Sequence, residues 1–199
     1  MKDILLFTAK RLLVLIIAGC IIGYFHQYDF ALMMILIIDL IVVYIRKRKL
    51  ENRKIYFFGL IITGVLGFIA EFWGVSNGFW EYHDINGREF PYWLPFAWAL
   101  AFSFIYSFEK YMIQKLNITT FKDKIILALI ASAILPTIGE MVTIYLGVWT
   151  YNWPFKIAGV PIYAILLLMI FHTGVNILLF LINQKWQVQD YVFSIKKAS

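Results

Sequence analysis

A single cysteine, Cys20, leaves this chain of 199 residues without an intramolecular disulfide or a cysteine-based metal motif. The three histidines, His26, His83 and His172, stand far apart with no two at metal-ligand spacing, so no metal site is expected. There is no Walker loop, no dinucleotide fingerprint and no nucleophile elbow, so no cofactor is expected either. Charge is scarce. Asp, Glu, Lys and Arg make up 15% of the chain while apolar residues reach 62%, a balance that excludes an ordinary soluble domain. No small-x-small cleavage site follows a short apolar stretch, so the N-terminus is expected to be retained. Ile17-Ala18-Gly19-Cys20 after Lys10-Arg11 has the outline of a lipoprotein box. More apolar chain follows it, and it reads as a small-residue packing patch.

The apolar residues fall in six blocks: Leu12 to Phe25, Phe30 to Ile45, Ile55 to Trp73, Tyr92 to Phe108, Ile125 to Leu146 and Val160 to Ile182. Most approach the ~17–20 residues that cross a bilayer core as a helix. Open strands cannot satisfy their backbone in lipid, and a barrel would alternate in runs of about ten residues. The expected fold is therefore all-α, a polytopic membrane protein of about six transmembrane helices. Assigning loops alternately to two sides places sixteen of the eighteen basic residues on one side, among them Lys10, Arg11, Arg46–Lys49, Lys122, Lys124, Lys196 and Lys197. Arg88 and Lys156 remain on the other. That bias predicts cytoplasmic termini in a bacterial-type inner membrane. It also accounts for the net charge of +6 without a nucleic-acid partner.

A tandem repeat is written into the second, third and fourth quarters of the chain. Glu71, Gly78, Trp80 and Tyr82 recur 69 positions later as Glu140, Gly147, Trp149 and Tyr151, each set reading Glu-x6-Gly-x-Trp-x-Tyr, and Pro91 and Pro161 follow the two sets. The offset runs backwards through Gly59, Thr63 and Gly67 to Ala128, Ser132 and Pro136. Steps of four put each set on one helical ridge. Small-residue ridges let membrane helices approach closely, so the third and fifth helices are expected to pack on each other. Each copy holds two helices, which makes the repeat parallel. The organisation expected is residues 1–54 as an N-terminal hairpin with a basic loop, 55–122 as repeat one, and 123–199 as repeat two with the tail.

Glu71 and Glu140 are the leading catalytic candidates. An ionisable group at the edge of a membrane span is costly and faces a bundle interior or a wet cavity. Two neighbouring carboxyls can divide acid and base roles. Trp80, Tyr82, Trp149 and Tyr151 are tied to them by fixed spacing, and with Trp73 and Trp98 they offer aromatic walls for an apolar substrate. Interfacial aromatic belts form for simpler reasons, so this set also fits plain membrane anchoring. His172, as a proton carrier, and Asn176 share one face of the sixth helix, where interhelical hydrogen bonding is the alternative role. Asp39 in the second helix is a further candidate, as a buried acid or as partner to a nearby base.

Glu71, Gly74, Gly78, Tyr82, Gly87, Pro91, Leu94, Pro95 and Trp98 form a pattern that resembles the membrane carotenoid-biosynthesis proteins, including bacterioruberin-type carotenoid 1,2-hydratases. Glu140, Gly147-Val148-Trp149-Thr150-Tyr151 and Gly159-Val160-Pro161 look like the small membrane lycopene cyclases. Where those cyclases carry an acidic pair after the proline, this chain has Ile162-Tyr163 and Tyr92-Trp93, leaving Glu71 and Glu140 as the paired acids. The resemblance implies cofactor-free acid–base chemistry on a polyene. Protonation of a terminal C=C would give a tertiary carbocation, captured by water or by an internal double bond. The function expected is an intramembrane acid–base enzyme acting on a carotenoid, another isoprenoid or another lipid. A lipid- or small-molecule-binding protein, a transporter component and a purely structural subunit are the other readings of the same residues.

Overall fold

The computed structural model describes residues 1–194. Six helices form the bundle: α1 Lys2–Phe25, α2 Asp29–Lys47, α3 Arg53–Ser76, α4 Leu94–Lys115, α5 Phe121–Tyr145 and α6 Ile162–Trp186. Each covers all or nearly all of one apolar block, and α1 begins ten residues before its block. By length and composition, α1, α3, α5 and α6 are able to cross a membrane. The shorter α2 carries Asp29, Asp39, Arg46 and Lys47, and α4 mixes Glu109 and Lys110 with tyrosines and serines. Lys196 and Lys197, which contribute to the charge bias, lie outside the described residues.

α3 packs with α4 and α5 packs with α6 as consecutive pairs, across connections that carry the short strands. The expected contact between α3 and α5 is not how the bundle packs. α3 lies on α4 and α5 lies on α6, while the arms of the N-terminal hairpin separate, α1 onto α5 and α2 onto α4. The reason is in what the small residues receive. Gly59 faces the Phe102 ring and Gly67 the Trp98 indole, so α3's ridge takes up large side chains of α4. Gly19 and Gly23 of α1 meet Val142 of α5 and Leu146 just past its end, in keeping with a packing role for the patch around Cys20.

Both α3 and α5 end in the same way. Gly78 and Gly147 take the left-handed conformation, with φ of 68° and 77°. Their N–H groups bond to Val75 and Ile144, and the next N–H groups reach back to Gly74 and Thr143. These are two Schellman caps, which a residue with a Cβ would strain. The repeat glycine therefore turns the chain back over its own helix end. Trp80–Tyr82 (β1) and Trp149–Tyr151 (β2) emerge from the two turns and pair antiparallel, Trp80 with Tyr151, Glu81 with Thr150 and Tyr82 with Trp149. A shift of 69 residues exchanges the outer two pairs, so the ladder is symmetric under the sequence repeat. Lys156–Ile157 (β3) and Val160–Pro161 (β4) make a second small hairpin.

The far end of the bundle is closed by Ile55, Tyr56, Phe102, Tyr106, Leu179 and Phe193, all buried or nearly so. Asp190 accepts from Asn52, from the Tyr106 hydroxyl and from the N–H groups of Val192 and Phe193, which holds the last described turn against the helices. Near the ladders, buried Asp29 pairs with Arg88 and accepts from the Tyr92 N–H, fixing α2 to the long loop.

Candidate functional site

Glu71 and Glu140 sit about two helical turns before the glycines of the two Schellman caps, so the returning strands pass above them. Side chains two apart on a strand share a face. In the first copy Trp80 Nε1 and the Tyr82 hydroxyl both donate to Glu71 Oε2, at 2.8 and 2.9 Å. Trp98, from α4, adds a third donation to Oε1 at 3.1 Å. In the second copy the Tyr151 hydroxyl donates to Glu140 Oε2 at 3.1 Å. Trp149 packs edge-on against the Tyr82 ring, 5.7 Å between centroids. The proline offset of 70 matches Trp98 with Leu168, which has no donor. The sequence repeat is thus symmetric, but its hydrogen bonding is not. Glu71 accepts three hydrogen bonds, and Glu140 accepts one among the described residues.

Two glycines of α3 make the first arrangement possible. A Cβ at Gly74 would fall 1.8 Å from the Trp80 ring, and one at Gly67 would fall 2.3 Å from the Trp98 ring. Those two positions flank Glu71 by one turn on either side. They leave room for the two indoles that hold its carboxyl group.

Both glutamates keep part of their surface open, and that surface lines a cavity of about 440 Å³ between the helices. Trp80, Tyr82, Trp98, Trp149 and Tyr151 also line it, as do His172 and Asp39. Most of the candidates read from the sequence therefore converge on one space. Trp73 does not. Two residues on from Glu71 it has rotated about 200° around the helix, and it stands 47% exposed against Phe79. Asp39 lies at the margin of the cavity, exposed and without an ion pair among the described residues.

Asn176 stands behind the wall rather than in it. It donates to both oxygens of Glu109 at 3.1 Å, and His172 Nε2 lies 2.8 Å from Glu109 Oε1. Glu109 is 1% exposed, a carboxyl group fully inside the bundle that sequence reasoning missed. Standing beside Lys110 near the end of α4, it looks like a terminal charge. Its spacing of seven from Phe102 and four from Ile105 places it on the buried face, and that was the available signal.

Tyr82 and Tyr151, which lie in the strands outside the helices, are held neutral. Burial pushes both phenols well above their ordinary range, and the nearby Glu71 carboxylate pushes them further. Both therefore remain hydrogen-bond donors at any physiological pH. Among the described residues no group of three His, Cys, Asp or Glu is placed to hold a metal ion.

Fold and site together define a six-helix bundle with a carboxyl pair under an aromatic ladder, open to an interhelical cavity. No family model matches the chain, and no curated protein or solved structure is detectably similar to it.

Proposed function

We propose that this chain is an intramembrane acid–base enzyme acting on the unsaturated chain of an isoprenoid or another lipid, with Glu140 delivering a proton and Glu71 receiving one. In this reading all six helices span a bacterial-type inner membrane with cytoplasmic termini, as the charge bias requires, and the ladders lie on the outer side. The observation that carries the proposal is the unequal hydrogen bonding of two equivalent carboxyls on one apolar cavity. Three donors suit an acceptor-only carboxylate at Glu71. Glu140, with one donor and a face on the cavity, is the group placed to hold and give a proton.

The step balances as follows. The Glu140 O–H bond breaks as a C–H bond forms at one alkene carbon, leaving a cation on the more substituted carbon. Trp80, Trp98 and Trp149 line the cavity, where their π-electrons would stabilise the cation. Water attacks and passes its proton to Glu71, or a neighbouring alkene attacks and a C–H proton goes to Glu71. Proton return from Glu71 to Glu140 through cavity water restores the pair. The resemblance to carotenoid hydratases and cyclases supports the same chemistry and suggests a polyene as the first substrate to try.

The test is expression in cells that accumulate lycopene, with the extracted pigments and prenyl lipids profiled by chromatography and mass spectrometry. A new hydrated or cyclised species that disappears with Glu140→Gln is expected. A profile identical with and without the chain would remove polyenes as substrates.

A further inference from the structure

We infer that the cavity takes an anionic amphiphile: a lipid whose phosphate or carboxylate head sits on Arg11, and whose chain enters between α1 and α2 and runs toward the glutamates. This inference rests on the reading of the site proposed above and names its substrate class.

The entrance follows from which lining residues are exposed. On α3 to α6 the wall is buried or half-buried apart from Ala101, as at Leu94, Phe102, Leu135 and Thr143. On α1 and α2 the lining residues Val14, Ile21 and Ile35 are 49%, 38% and 38% exposed, and Ala18 and Asp39 are exposed too. The cavity therefore opens sideways along the seam where the arms of the N-terminal hairpin part. In a bilayer such a seam faces acyl chains rather than water, and its apolar rim matches them.

The head site follows from Arg11. Among the described residues lining the cavity it is the only Lys or Arg. A basic residue placed only to set orientation would extend its charge to the interface. Arg11 turns the other way. It stands nine residues into α1, donates from Nη2 to the Phe104 carbonyl of α4 at 2.9 Å, and lies over the Phe104 ring at 4.5 Å. Its Nε is buried without a protein partner, and no carboxylate lies within 4 Å of it among the described residues. A guanidinium inside a bundle with unused donors and no counter-ion is costly, and its planar fork suits a phosphate or carboxylate. Ser103 and Ser107 line the same stretch.

The spacing fits a chain rather than a free anion. Gly19 of α1 abuts Gly139 and Val142, beside Glu140. Arg11 is eight residues below Gly19, about 12 Å along the axis at 1.5 Å per residue. Leu15, Leu36, Leu100, Ile105 and Leu135 give the lining an apolar surface, interrupted by Asp39, Thr63 and His172. A head on Arg11 therefore directs several carbons of chain to the carboxyl pair, so the reacting alkene is internal to the chain or at its tail.

The test is equilibrium binding, read by tryptophan emission, to the whole chain in nanodiscs of zwitterionic lipid. The probes are farnesyl phosphate, farnesol and inorganic phosphate. Farnesyl phosphate is expected to bind at least about tenfold more tightly than farnesol, about 1.4 kcal/mol. Arg11→Gln should erase that preference while leaving farnesol affinity in place, and Arg11→Lys should retain part of it. Inorganic phosphate should not compete at concentrations where farnesyl phosphate saturates. Equal binding of the two farnesyl probes to the unaltered chain would overturn the inference, as would a preference that survives in Arg11→Gln. Effective competition by inorganic phosphate would also overturn it, by showing a free-anion site. The unaltered chain alone decides the first comparison if Arg11→Gln does not fold. Glu71→Gln/Glu140→Gln should keep the head preference, so a failure of the acid–base reading would leave this result standing.

Discussion

Gly74→Ala is the sharpest probe of how the first carboxyl is held. The added methyl would sit 1.8 Å from Trp80 Cη2 and 1.9 Å from Cζ2. Ordinary carbon contacts lie at about 3.5–4.0 Å, so the indole must withdraw by roughly 2 Å. Its N–H bond to Glu71 is 2.8 Å long, and a withdrawal of that size takes it beyond any hydrogen bond. Losing a bond to a charged acceptor costs about 1.5–3 kcal/mol. Crowding a packed site adds about 1–3 kcal/mol. The expected destabilisation is about 4 kcal/mol, measured by denaturant titration of the detergent-solubilised chain. Trp80→Phe should cost only the hydrogen-bond share. In a Trp80→Ala background Gly74→Ala should cost under about 1 kcal/mol, because the clash has been removed. An undiminished cost in that background would show that the glycine is needed for some other reason, and the link from Gly74 to Glu71 would fail.

The two glutamates should also differ in stability assays. Glu71→Gln sets an amide NH2 against a site built from three donors and is expected to cost about 2–4 kcal/mol, whereas Glu140→Gln, with one donor, should cost under about 1 kcal/mol. Equal costs in thermal melts would contradict the asymmetry. The buried phenols give a pH signature. Their folded-state values lie above the unfolded value of about 10, so the folded state keeps protons that the unfolded state has lost. Stability from this source is full below that pH and declines as pH rises past it. Melting temperatures recorded across that range should fall less steeply for Tyr82→Phe/Tyr151→Phe than for the unaltered chain.

Much of the bundle was legible because apolar blocks of nearly membrane length leave the backbone few choices. The six helices stand where the blocks do, and the carboxyl pair stood out because the repeat preserved its spacing twice. What the repeat could not show was the neighbour of each ridge. A row of small residues says that something large or close must fit, and here Phe102 and Trp98 of α4 fit against Gly59 and Gly67, so α5 stays away. The β1–β2 ladder was hidden for a similar reason. Three-residue strands carry almost no periodicity, and the pairing of the two copies is set by helix ends 69 residues apart. Trp73 was misplaced because proximity to Glu71 in sequence outweighed its position around the helix. Glu109 was overlooked because its neighbour Lys110 made a buried residue look like a boundary.

Passage of a proton from Glu140 to a lipid carbon leaves an isotopic record. Membranes containing the chain can be incubated with prenyl lipids or lycopene in deuterated water, and the extracted lipids analysed by mass spectrometry. Hydration, cyclisation and isomerisation by this route all place a solvent deuterium on carbon, so one measurement covers every outcome of the cation. Non-exchangeable deuterium is expected in the lipid fraction with the unaltered chain, and none above background with Glu140→Gln. Equal labelling by the two proteins would contradict the role given to Glu140, and no labelling by either would contradict acid catalysis on the lipids supplied.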